Sequence, residues 1–156
     1  NDFPSLMFQF AEISDLIEVN PFSKRIRSLL DQTLSDKPVL NLEGEIKPPN
    51  CLGTALWIAG VGKFDYPYHA YEDALSEHLD KETGTNIFNR HPERKIPGAF
   101  CFSYCSDNDG WHAGVYLGES QGESVLFAQH GAGQKFGPET LRYYANPKFY
   151  IPRSLK

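Results

Sequence analysis

Three residues with reactive side chains stand at the edges of regular patterns: Cys51 in "PPNCLGTALWIAG", His112 in "WHAGVYLGES" and His130 in "VLFAQHGAG". A cysteine that only packs could sit anywhere in an apolar run, but Cys51 sits at its head. Asn50 before it suits a helix N-cap, which puts Cys51 in the first turn. The unsatisfied N–H groups and positive dipole end there favour a thiolate over a thiol and can stabilise an oxyanion beside the sulfur. That is how a nucleophilic cysteine is mounted. It then needs a base and a third polar group that fixes the base's tautomer. His112, at the mouth of an alternating strand, suits the first role, and His130, at the end of the next strand, the second. Hairpin neighbours would bring both to one edge of a sheet. Taken singly, Cys51 reads as a small buried hydrophobe and each histidine as a solvated or capping residue. The three together at compatible element ends carry the argument. Gln129 competes with His130 for the third role, but strand alternation points it to the opposite face.

The elements that must position these groups read as helices first and strands afterwards. Leu6, Phe10, Ile13 and Ile17 recur at helical spacing. A second helix follows "NPFSKRIRSLLDQTL", with Asn20 as cap, Pro21 in the first turn, and Phe22, Ile26, Leu29 and Leu30 as one stripe. "SDKPVLNLEGEIKPPN" reads as a connecting loop. In the helix headed by Cys51, the residues Leu52, Ala55, Leu56 and Ala59 form one apolar face. Trp57 and Ile58 extend it, so this helix is expected to be buried on most sides; Gly60 and Gly62 end it. A further helix is expected over "HAYEDALSEHLDKETG", with Tyr71, Leu75 and Leu79 inward. "AFCFSYC", "HAGVYLGE" and "SVLFAQH" then read as strands separated by the turns "SDNDG" and "SQGE", with "KFYIP" as a last short strand. The expectation is an α+β domain with an antiparallel meander, one catalytic domain over 1–156 with a helical extension at 1–46 and a core at 47–156.

Composition narrows the function classes. The chain has 156 residues, 40% apolar and 13% aromatic, with a net charge of −5. No dense Lys/Arg cluster interleaves with aromatics, so nucleic acid is not an expected partner. No run of 18 apolar residues occurs, so no membrane span is expected. The chain starts at Asn1 rather than Met, which fits removal of an upstream segment such as a signal peptide. Its three cysteines are an odd number. Cys101 and Cys105, four apart in "FCFSYC", lie about 13 Å apart along a straight strand, too far for a disulfide.

The order Cys51 at a helix start, Pro97-Gly98 opening a strand, "HAGVYLG", and a polar residue after the next strand resembles the NlpC-type cell-wall endopeptidases of the papain-like superfamily. The resemblance covers roughly residues 50–135. "CLGTAL" keeps the family's glycine as Gly53; "HAGVYLG" is its most specific piece. Ala99 stands where the family usually has an acidic residue, Leu52 where it usually has Ser, and residues 39–50 hold no counterpart of its upstream tyrosine. The resemblance implies a papain-like fold with the Cys51 helix buried against the sheet. It implies amide hydrolysis through a Cys51 acyl-enzyme, with His112 as general base and His130 as orienting residue. The family's substrate is the peptidoglycan stem peptide, cut between D-Glu and a diamino acid. Tyr66, Tyr68, Trp111 and Phe136 are candidates for lining the cleft, together with Gln129; their competing reading is as ordinary core or surface aromatics.

No cofactor is expected. Cys51, Cys101, Cys105, His112 and His130 could in principle supply zinc ligands, but the tight Cys-x-x-Cys turn of structural zinc sites is missing, so no metal is assigned. A non-catalytic binding module on the same fold, and an acyltransferase or deacylase sharing the thioester chemistry, are the other rivals. The compartment is open between secretion, the periplasm and delivery into another cell. In the last case the expected partner is a cognate inhibitor or immunity protein.

Overall fold

A computed structural model describes residues 10–30, 39–40, 46–60, 64–71, 88–89, 95–105, 110–133 and 135–152. The helices are α1 (Phe10–Glu18), α2 (Ser23–Leu30) and α3 (Cys51–Ile58). The strands are β1 (Val39–Leu40), β2 (Ile46–Lys47), β3 (Phe88–Asn89), β4 (Phe100–Cys105), β5 (Gly110–Ser120), β6 (Glu123–Gln129), β7 (Phe136–Thr140) and β8 (Lys148–Pro152). β1 and β2 pair with each other; the remaining six form one antiparallel sheet in the order β3-β8-β4-β5-β6-β7. The architecture is α+β; β4 to β6 form the expected meander, which β7 extends. β8 crosses back to pair with β4, as Phe100 opposite Tyr150 shows.

Alternation along the strands divides the apolar residues between two clusters. Phe100, Phe102, Ala113, Val115, Leu117, Val125 and Phe127 pack against Ile13, Ile17, Ile26, Leu29 and, from α3, Leu52, Ala55, Leu56, Trp57 and Ile58. Cys101, Tyr116, Leu126, Phe149 and Ile151 pack on the other face with Tyr144. Every residue of α3 is buried, as its all-round apolar sequence requires. α1 docks where Leu16 fills the space over Gly118; a Cβ there would lie 2.9 Å from Leu16 Cδ2, and Gly118 has φ +149°. The α1–α2 corner is tied to the sheet by Asn20, whose Oδ1 accepts the Phe22 N–H and whose Nδ2 donates to the Tyr116 carbonyl.

Several expectations change. The loop expected at 35–50 contains the β1–β2 pair. Leu30, grouped with the buried stripe of α2, is 39% exposed. Residues 69–71, the described start of the helix expected over "HAYEDALSEHLDKETG", are not helical, because both backbone groups of Ala70 are held by the Asn50 side chain. Leu6, Gly62, Leu75 and Leu79 lie outside the described residues. β7 was not legible, since Gly137 and Pro138 argue against a strand; as the last strand of the sheet it tolerates a proline that a central strand would not.

Candidate active site

α3 begins at Cys51 because Asn50 caps it. Asn50 is extended (φ −122°, ψ 177°), and its Oδ1 accepts the Gly53 N–H at 2.9 Å. The same oxygen accepts the Ala70 N–H, and Nδ2 donates to the Ala70 carbonyl. One buried side chain thus caps the helix and fastens the 64–71 segment beside it. Gly53 is obligatory for this packing: a Cβ would lie 1.7 Å from the Tyr68 carbonyl oxygen. With Gly53 N bound to the cap and Thr54 N to the Asn50 carbonyl, the N–H groups of Cys51 and Leu52 are the first-turn donors that the helix does not use.

The N-terminus of α3 reaches the end of the sheet where β5 begins and β6 finishes. Thr54 donates its hydroxyl proton to Gln129 Oε1 at 2.8 Å, and Gly133 N–H donates to the Pro49 carbonyl. His112, opposite Ser103 on β4, stands at this end. Its ring interacts with the Cys51 side chain and hydrogen-bonds Glu139. Nε2 faces Glu139 Oε1 at 2.7 Å, which leaves Nδ1 for the thiol. The register that sets Val115 opposite Phe127 brings His112 and His130 to the same end of β5 and β6, as the hairpin argument expected. They meet through Glu139: His130 Nδ1 lies 2.5 Å from Glu139 Oε2. Tyr144 O–H donates to Glu139 Oε1 at 2.9 Å. The group in contact with the outer nitrogen of His112 is therefore the Glu139 carboxylate, and His130 touches that carboxylate from its far side. The sequence reading missed Glu139, a lone acid in a segment without a strand pattern.

Burial would lower the affinity of His112 for its proton, but the hydrogen bonds to Cys51 and Glu139, with their charges, override it and raise its pKa to about 10. Burial likewise opposes ionisation of Glu139, and the bonds from His112 and His130 outweigh it, holding the carboxyl at about 2. A charged imidazole between a sulfur and a carboxylate is the resulting state across neutral pH. Cys101 is fully buried, and burial pushes its thiol far above the ordinary range.

The residues assigned to a substrate cleft separate. Tyr68 and Gln129 have 0% exposure. Gln129 anchors Thr54, and the Tyr68 ring meets Phe64 edge-on; both are core residues with no surface for a substrate. Gln129 faces α3 while His130 faces Glu139, which is the alternation expected. Trp111 is half-buried and stacks on Phe102 on the helix side of the sheet. Phe136 is half-buried against the same cluster. Tyr66 stacks on Phe64 and is 36% exposed, the most open of the group.

No protein-family model matches the chain, and neither a curated protein nor a solved structure matches it. Among the described residues, no helix is long and apolar enough to cross a membrane.

Proposed function

We propose that this chain is a cysteine amidase or endopeptidase that hydrolyses an amide bond through an acyl-enzyme on Cys51, on a papain-like scaffold of the NlpC type. The observation that carries this reading is the His112 ring held between the Cys51 side chain and Glu139. The Cys51 sulfur attacks the carbonyl carbon, and the developing oxyanion is met by the free N–H groups of the first turn of α3. His112 gives its proton to the leaving amine as the C–N bond breaks. In the second half it takes a proton from water, which attacks the thioester and releases Cys51. Glu139 stays ionised throughout, holding the ring and balancing its charge. This assigns to Glu139 the orienting role that the resemblance gives to His130.

The proposed substrate is a peptidoglycan stem peptide. Purified muropeptides incubated with the protein and analysed by mass spectrometry should show a new pair of fragments that Cys51→Ala does not produce. Intact muropeptides would remove the wall substrate. A mass increase on Cys51 discharged by added amines rather than water would redirect the reading to acyl transfer.

A further inference from the structure

Glu139 Oε1 accepts two hydrogen bonds, one from His112 and one from Tyr144. We infer that Tyr144 is a positioning residue of the Cys51–His112 pair, acting through Glu139 by drawing charge from the oxygen that His112 uses. The inference rests on the hydrolase reading above.

Three features of the fold aim this phenol. A 3-10 turn at Leu141–Tyr143 follows β7 and is closed by the Tyr144 N–H donating to the Leu141 carbonyl. It folds Tyr144 back over the sheet, five residues after the carboxylate it serves. Ser103 on β4 holds the next residue by donating to the Ala145 carbonyl. Gly114 supplies the space: a Cβ there would sit 2.8 Å from the Tyr144 hydroxyl oxygen. The first glycine of "HAGVYLG" is thus what lets Tyr144 reach Glu139. The ring itself is 5% exposed and lies 5.0 Å from the His112 ring, tilted by 51°. A buried phenol is needed here for more than packing, since phenylalanine would fill the same space.

The consequence is chemical. A carboxylate with one donor fewer holds the His112 Nε2–H harder, so His112 surrenders its other proton less readily to a leaving amine. Tyr144 helps to keep Glu139 ionised while leaving His112 a usable acid. The titratable groups facing this unit are His112 from β5, His130 from the end of β6, Cys51 from α3, and Cys101 from β4 within electrostatic reach of Tyr144. Burial and then the Glu139 charge hold the phenol far above the usual tyrosine range, so it stays a donor.

The test is the His112 ring titration, followed by NMR in the whole protein. Tyr144→Phe should move it upward by about one pH unit, the tenfold change in proton affinity that accompanies loss of one charge-assisted hydrogen bond. In a Glu139→Gln background the same substitution should move it no further. An unchanged titration in Tyr144→Phe, even with lowered stability, overturns the inference, as does a shift that persists without Glu139. If Tyr144→Phe does not fold, fluorotyrosine at position 144 alone keeps the ring and strengthens the donor; the titration should then move down, and no movement overturns the inference. Iodoacetamide labelling of the wild type at about pH 6 tests the nucleophile reading separately. Cys51 reacting no faster than a thiol peptide would sink that reading and leave the titration result standing.

Discussion

Glu139 Oε1 lies 2.7 Å from His112 Nε2, although the two residues stand on strands that do not pair: β6 separates β5 from β7. The carboxylate reaches past the intervening strand and takes His130 on its other oxygen. Two histidines that sequence spacing had joined directly are joined through an acid.

This arrangement ranks the substitutions. His112→Gln should lower hydrolysis by about 10²–10⁴-fold, the range of a general base. Glu139→Gln keeps an acceptor without the charge and should cost roughly 10²-fold, with Glu139→Ala worse. His130→Ala should cost less than either, because His130 meets the carboxylate oxygen that His112 does not use. Rate constants on a cleavable amide decide it; a larger loss from His130→Ala than from Glu139→Ala would return the orienting role to His130.

Thiol reactivity should separate Cys51 from Cys101. Iodoacetamide at about pH 6 should modify Cys51 first, since Cys101 is fully buried and its thiol is pushed far up. His112→Gln should slow the reaction at Cys51 and leave Cys101 as it was. Peptide mapping after timed quenching reads both sites, and comparable labelling of Cys101 would remove Cys51 as the activated thiol.

Stability should depend on pH at both ends of the range. Glu139 is depressed from 4.5 to about 2, so its contribution is complete above 4.5 and lost as pH falls through about 2. His112 is raised from 6.5 to about 10, so its contribution is complete below 6.5 and lost as pH rises through about 10. The wild-type unfolding midpoint should therefore decline between pH 6.5 and 10. That decline should be shallower in His112→Gln; parallel curves for the two proteins would contradict the ion pair.

Gly53 offers a test of the scaffold apart from chemistry. Gly53→Ala drives a Cβ to within 1.7 Å of the Tyr68 carbonyl oxygen, a backbone atom that cannot swing aside. The expected loss is about 3 kcal/mol or a failure to fold. Gly60→Ala meets nothing within 4 Å and bears only the cost of φ +80°, about 1 kcal/mol. Denaturant midpoints compare the two, and equal losses would deny the close approach of α3 to Tyr68.

Local chemistry wrote much of this molecule into its sequence. Asn50 as cap, Cys51 as first helical residue, the all-round burial of α3 and the strands around His112 follow from capping, apolar periodicity and alternation, which act within a few residues. Gln129 opposite in direction to His130 follows from the same alternation. Tertiary structure decided the rest. The 69–71 segment was read as the start of a helix, but the Asn50 side chain claims both backbone groups of Ala70. β7 is hidden by Gly137 and Pro138, which suit an edge position that only the assembled sheet defines. Glu139 carries no local signal, because its partners come from residues 112, 130 and 144, brought together by strand order and a turn. Why Gly53 and Gly114 are glycines was equally invisible: each makes room for an atom distant in sequence, the Tyr68 carbonyl in one case and the Tyr144 hydroxyl in the other.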